Sequence, residues 1–241
     1  MNLIVDIGNT QAKIAIYQAQ QLVAQQKTSH AELNAAISAL LIKHPVKAGI
    51  ISSVGTLAKE TVVAVRSIPH VIWLNAETKV PFNNLYQTPK TLGVDRIALV
   101  SAATNQFKGQ HVLIIDAGTC ITYDFVTAEK NYLGGAISPG IKIRYKALND
   151  YTANLPLLQL DAYELIGKNT EQSIHSGVLN GVVQEIEGII AQYSLKYSNL
   201  TVVLTGGDTI FLSKMLKSSI FAIPNFLLEG LNRILIHNLD E

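Results

Sequence analysis

The 241-residue sequence predicts a layered α/β protein made of two similar halves, and two observations carry that expectation. First, one pattern is written twice. Leu3-Ile4-Val5-Asp6-Ile7-Gly8-Asn9-Thr10 leads into Ala12-Lys13-Ile14-Ala15-Ile16-Tyr17, and Leu113-Ile114-Ile115-Asp116-Ala117-Gly118-Thr119 leads into Ile121-Thr122-Tyr123-Asp124-Phe125-Val126. Each copy is a β-branched run, an Asp, one residue, a Gly, a Thr and a second strand-like run. The run reads as a buried strand, and the Gly with small polar residues as a tight hairpin turn. Second, strands alternate with helices along the rest of the chain, which implies layers in each half.

The elements follow in order. Ala31 to Lys43 has helical spacing in Leu33, Ile37, Leu40 and Leu41, with Pro45 just beyond its end. Ala48 to Ser53 is a strand, Leu57 to Ser67 a helix, and Val94 to Phe107 a helix joining the halves. Thr170 to Tyr197 carries Ile174, Val178, Val182, Ile186, Ile189 and Ile190 along one side of a long helix. Thr201 to Thr205 is a strand, Asp208 to Lys217 a helix, and Phe226 to Asn238 a closing helix. The repeat places the domain boundary near residue 110, giving domains 1–110 and 111–241.

Composition excludes several function classes. Hydrophobic residues make up 48% and mean hydropathy is +0.24, enough for a sizeable core. Nineteen Lys plus Arg against eighteen Asp plus Glu leave no polybasic surface for nucleic acid or anionic membrane. Cys120 is the single cysteine, so no intrachain disulfide forms, and the six His show no zinc spacing. The start, Met1-Asn2-Leu3-Ile4-Val5-Asp6, lacks the basic region of a signal peptide, and no apolar stretch approaches the ~20 residues that span a bilayer. A cytoplasmic protein is expected.

Three places carry chemistry. In Asp6-Ile7-Gly8-Asn9-Thr10, Gly8 lets the backbone approach a ligand closely, and consecutive amides form a nest for phosphate oxygens, aided by Thr10 and Lys13. Asp6 at the strand end suits hydrated Mg²⁺, which needs only one or two carboxylates. An ordinary hairpin in which Asp6 bonds its own turn fits one copy equally well. The second copy at Asp116-Ala117-Gly118-Thr119 favours the chemical reading, because an actin-like or sugar-kinase-like ATPase holds its nucleotide with two such turns. No G-x-x-x-x-G-K-[ST] or G-x-G-x-x-G occurs anywhere in the chain. Leu204-Thr205-Gly206-Gly207-Asp208 reads as a third glycine turn between strand and helix, or as a plain connection. Asp95, behind Gly93 at a helix start, fits a carboxylate that accepts a hydroxyl proton, with Arg96 beside it for an anion. A helix whose first turn merely carries an acid is the alternative. Cys120 and the His residues read as packed or structural, and Lys142, Arg144 and Lys146 as a surface basic cluster.

Taken in order, Asp6-x-Gly8-Asn9-Thr10-x-x-Lys13, Tyr86…Gly93-x-Asp95-Arg96, Asp116-x-Gly118-Thr119, Gly134-Gly135-x-Ile137-x-Pro139-Gly140 and Thr205-Gly206-Gly207-Asp208 resemble the type III pantothenate kinases from residue 2 to about residue 210. The resemblance implies two ribonuclease H-like (actin-like) domains with a central nucleotide cleft, and transfer of the ATP γ-phosphoryl group to pantothenate, the first step of coenzyme A synthesis. Residue by residue, it implies that Asp6, Ile7, Gly8, Asn9, Thr10, Gln11, Ala12 and Lys13 bind ATP with Thr119, and that Asp6 lies near Mg²⁺. Asp95 would be the general base, and Tyr86, Gly93, Val94, Asp95, Arg96 and Thr170 would line the pantothenate pocket. Asp116 would ligate the monovalent cation, K⁺ or NH₄⁺, and the chain would form a homodimer through the helix from Thr170. The rival readings are a related phosphotransferase with another small acceptor and a non-enzymatic transcriptional accessory factor. Tyr86 with Gly93–Arg96 argues against the first; the intact Asp6, Asp95 and Asp116 argue against the second.

Overall fold

The computed structural model describes residues 1–53 and 62–240, which form two compact units. The first comprises Met1–Lys108, Lys130–Tyr132 and Asn225–Glu241; the second comprises Gly109–Glu129 and Leu133–Pro224.

In the first unit the chain runs β1 (Asn2–Ile7), β2 (Ala12–Gln18), β3 (Gln21–Thr28), α1 (Leu33–Lys43), β4 (Ala48–Ser53), a 3-10 turn at Val63–Ser67, β5 (His70–Trp73), β6 (Asn83–Asn84) and α2 (Val94–Gln106). The five-stranded sheet has the order β3-β2-β1-β4-β5, antiparallel from β3 to β1 and parallel from β1 to β5. The expected helix from Leu57 begins outside the described residues, and its remainder is the 3-10 turn. Along β1 the side chains alternate between two buried faces. Leu3, Val5 and Ile7 pack with Leu33, Ile37 and Leu40 of α1, while Ile4 and Asp6 take the other face.

The second unit repeats the arrangement with β7 (Val112–Ala117), β8 (Cys120–Val126), β9 (Asn131–Pro139), α3 (Ile141–Asp150), α4 (Thr170–Lys196), β10 (Thr201–Thr205), α5 (Thr209–Leu212) and β11 (Phe221–Ala222). The sheet has six strands in the order β11-β10-β7-β8-β9-β6, and the five from β9 to β11 repeat the order of the first sheet, with β7 antiparallel to β8 and parallel to β10. Leu113, Ile115 and Ala117 pack with Ile174, Val178, Val182 and Ile186 of α4. The duplicated α/β fold is therefore present strand for strand. The helix expected from Asp208 to Lys217 stops at Leu212. The Glu187 carboxylate on α4 accepts from the backbone amides of Lys217 (2.5 Å) and Ser218 (3.1 Å), which holds those residues out of the helix.

The chain ends in α6 (Phe226–Leu239), which packs against α2 in the first unit. Nearly every residue of α2 from Arg96 to Thr104 is buried, so its neighbours must come close. Gly230 makes that possible: a Cβ there would lie 1.9 Å from the Ala98 carbonyl oxygen. No described helix is long and apolar enough to cross a membrane.

Gly230→Ala forces α6 away from α2 and is expected to destabilise the protein by at least about 1–3 kcal/mol, the range for overpacking a tight core. Denaturant unfolding measures this; an unchanged midpoint would refute the close-contact role.

Candidate active site

In the first unit, β1 carries Asp6 to the mouth of a hairpin that Gly8 closes, its amide donating to the Gln11 carbonyl at 3.1 Å. Asn9, Thr10 and Gln11 stand exposed at the tip. Lys13 lies directly across the strand pair from Asp6. Asp6 itself is buried, at 7% exposure. Burial pushes its carboxyl up from 3.8 to about 6; the Lys13 ammonium pulls it back, and the Asp95 carboxylate adds to the rise. Asp6, Lys13 and Asp95 thus form one electrostatic cluster.

Asp95 sits in the first turn of α2, whose N-cap is Gly93. Its Oδ1 accepts from the Arg96 amide at 2.8 Å and curls back over the helix end. A Cβ on Gly93 would meet that oxygen at 2.3 Å, so the glycine is what admits the carboxylate there. Arg96 is buried at 5% exposure, with its guanidinium 5.6 Å from the centre of the Tyr86 ring. Tyr86 in turn stacks on Tyr132 at 6.1 Å. A carboxylate, a cation and an aromatic ring therefore stand side by side at Asp95, Arg96 and Tyr86.

In the second unit the turn is tighter: the Gly118 amide donates to the Cys120 carbonyl at 2.9 Å, leaving Gly118 and Thr119 as the loop. Two glycine segments press on it, and a third packs on β8. Gly206, with φ +99°, sits where a Cβ would lie 2.3 Å from the Ala117 oxygen and 2.4 Å from Asp116 Oδ1. The next residues lock in place, the Asp208 amide donating to Ala117 O at 3.0 Å and the Thr209 hydroxyl to Gly206 O at 2.8 Å. Gly140 donates to Thr119 O at 3.1 Å, and its Cβ would fall 2.2 Å from Gly118 O. Gly135 rides on Tyr123, where a Cβ would overlap the carbonyl oxygen at 1.6 Å. The Thr205–Asp208 segment packs onto the Asp116 carboxylate.

Other expectations are corrected. Lys142 faces Asp208, whose carboxyl burial raises and Lys142 lowers. Arg144 is structural: it pairs with Glu185 and donates to Pro139 O (2.9 Å) and Ser138 Oγ (3.0 Å). Burial raises Glu185, but its bonds to Arg144, Tyr123 and Ser138 outweigh that and hold it below the usual carboxylate range. Lys142 and Lys146, the latter paired with Asp150, are exposed, as expected of a surface cluster. Cys120 is exposed rather than packed. His175 is structural, buried against the Tyr145 hydroxyl at 2.8 Å. Thr170 stands exposed at the start of α4, on the rim of an apolar groove of about 880 Å³ lined by Leu148, Tyr151, Leu155, Ile174 and Val178.

Comparison with known proteins gives one family. Residues 2–192 match the family model described as type III pantothenate kinase. A Flavobacterium johnsoniae protein named type III pantothenate kinase is 46% identical over 243 residues, covering 100% of each chain. One of the same name from Christiangramia forsetii is 48% identical over 240 residues, covering 99% of each. Among solved structures, a Campylobacter jejuni protein described as a Baf family transcriptional activator aligns with TM-score 0.63 and 23% identity over 99% of this chain and 100% of its own. A glucokinase from an Antarctic psychrotroph aligns with TM-score 0.53 and 14% identity over 98% of each chain. At such identities the structures establish a shared actin-like, sugar-kinase-like fold.

Asp6 titrates higher folded than unfolded, so its charge opposes folding above about pH 6, and that cost vanishes as pH falls through 6 toward 4. Asp6→Asn is therefore expected to stabilise the protein in EDTA at pH 7.5 by roughly 2–3 kcal/mol, with little effect at pH 4. Denaturant titrations at the two pH values test this, and equal effects at both would refute it.

Proposed function

This chain belongs to the type III pantothenate kinases, and we propose that the two Asp turns, with Asp95 between them in sequence, are the machinery of that activity. The protein is an ATP-dependent kinase that passes the γ-phosphoryl group to a pantothenate hydroxyl, giving 4′-phosphopantothenate and ADP. One observation carries the assignment of roles: the Asp95 carboxylate, at the open end of α2, lies within electrostatic reach of Asp6 and beside Arg96.

Asp95 takes the hydroxyl proton as the oxygen attacks in line. Arg96, held against Tyr86, pairs with the pantothenate carboxylate, and Gly93, Val94 and Thr170 complete the acceptor pocket. The turn from Asp6 through Ile7, Gly8, Asn9, Thr10, Gln11 and Ala12 to Lys13 cradles the ATP phosphates, with Thr119 as a further nucleotide contact. Asp6 fits Mg²⁺: a buried carboxylate repelled by a second one gains from a hydrated cation, and one or two carboxylates suffice. The metal supplies charge neutralisation on the transferring phosphate. Asp116, with the Ala117 carbonyl beside it in the cradle that Gly206 leaves open, fits a monovalent cation bound through oxygens.

The groove between α3 and α4 supports a homodimer. Its lining is mainly apolar, Tyr151 is 89% exposed, and Gly177 and Gly181 on α4 face open space.

The deciding assay is ADP release from Mg-ATP with and without pantothenate, in K⁺ and in Na⁺ buffer. Release is expected to need pantothenate and to fall when Na⁺ replaces K⁺; folded, ATP-binding protein with no pantothenate dependence would overturn the acceptor. Asp95→Asn is expected to lower kcat by about 10²–10⁴ while Mg-ATP binding persists. Near-normal turnover would remove Asp95 from the role of base. Light scattering on the purified protein is expected to give twice the 26.2 kDa chain mass.

A further inference from the structure

Ser52 is completely buried near the end of β4, yet among the described residues its hydroxyl oxygen has no hydrogen-bond partner. A buried hydroxyl without a partner is costly and calls for an explanation. Its register partner on the parallel neighbour β1 is Asp6. Register partners in parallel strands project from the same face of the sheet. Leu3, Val5, Ile7 and Ile51 fill the core beneath α1, so Asp6 and Ser52 share the opposite face, the one from which α2 and α6 approach. A donor lacking an acceptor and a buried carboxylate thus lie next to each other on adjoining strands.

The second unit carries the same placement. Buried Thr205 on β10 is the register partner of Asp116 on β7. A hydroxyl residue therefore flanks the strand-end Asp across the same parallel seam in both units.

We propose that Ser52 is a positioning residue for Asp6: when Mg-ATP is bound its hydroxyl donates to the ionised Asp6 carboxylate and fixes that group toward the water shell of the metal. The bond requires only a change among the staggered χ1 wells of serine, and a hydroxyl–carboxylate bond is of the stronger, charge-assisted kind. The inference rests on the ATP-binding role proposed for Asp6.

Titration calorimetry with Mg-ATP, and with ATP in EDTA, tests it. Ser52→Ala is expected to weaken Mg-ATP binding about tenfold, the scale of one hydrogen bond to a charged group. Metal-free ATP should bind within about twofold of wild type, Ser52→Thr should restore most of the Mg-ATP affinity, and Ser52→Ala should add nothing in the Asp6→Asn background. Ser52→Ala protein without nucleotide should melt at or above the wild-type temperature, because the unmatched hydroxyl is gone. If Ser52→Ala does not fold, Ser52→Cys, similar in size and a weak donor, takes its place with the same expectations. Equal losses with and without metal, no loss at all, full additivity with Asp6→Asn, or Ser52→Thr as impaired as Ser52→Ala would each overturn the proposal. No pantothenate enters these titrations. Wild-type protein that binds Mg-ATP but shows no pantothenate-dependent turnover would therefore remove the acceptor assignment and leave this one standing.

Discussion

A carboxylate buried at the carboxyl end of a central strand is the constraint around which the first unit is arranged. Asp6 is shielded from water by the sheet and by the elements packed on it, and desolvation dominates its behaviour. An isolated charge in that position would leave the fold or neutralise. Lys13 directly across β2 partly compensates it, and Asp95 works against that compensation. The free protein therefore holds two carboxylates in mutual repulsion. In the role proposed for Asp6, a bound cation and nucleotide would relieve that repulsion and gain affinity from it.

Backbone proximity is the corresponding constraint in the second unit. Gly135, Gly140 and Gly206 each occupy a position where a methyl group would penetrate a neighbouring carbonyl. They come from different parts of the chain and, through Tyr123 on β8 or the turn itself, support the loop at Gly118 and Thr119. A turn fixed in this way has its amides and carbonyls already oriented, and a preorganised set of dipoles loses little on binding an ion or a phosphate. Arg144 and Glu185 serve the same end by tying the close of β9 to α3 and α4.

Gly93 admits a carboxylate curled over the end of α2, and Tyr86 fixes a buried guanidinium beside it. A fold shared with glucokinase would by itself leave the acceptor open, because one fold hosts many reactions. The acceptor follows from the family, and the residues proposed to hold it are those of the Tyr86 to Arg96 segment.

The sequence by itself determined the two-fold α/β architecture, the two Asp hairpins and the family. These depend on local chemistry: β-branched runs form buried strands, glycine permits tight turns, and the spacing of motifs survives as plain text. It left open what the glycines at 135, 140 and 206 do, because their meaning lies in carbonyl groups far away in sequence. Arg144 read as a surface charge for the same reason, since Glu185 reaches it only through folding. The helix after Asp208 was overextended because the Glu187 carboxylate, on another element, captures the amides that would have continued it. Tertiary structure alone decided that Asp6 is buried, that Asp95 bears on it, and that Ser52 lies beside it with no hydrogen-bond partner among the described residues. Burial and through-space charge depend on which surfaces meet, and no periodicity along one chain records that.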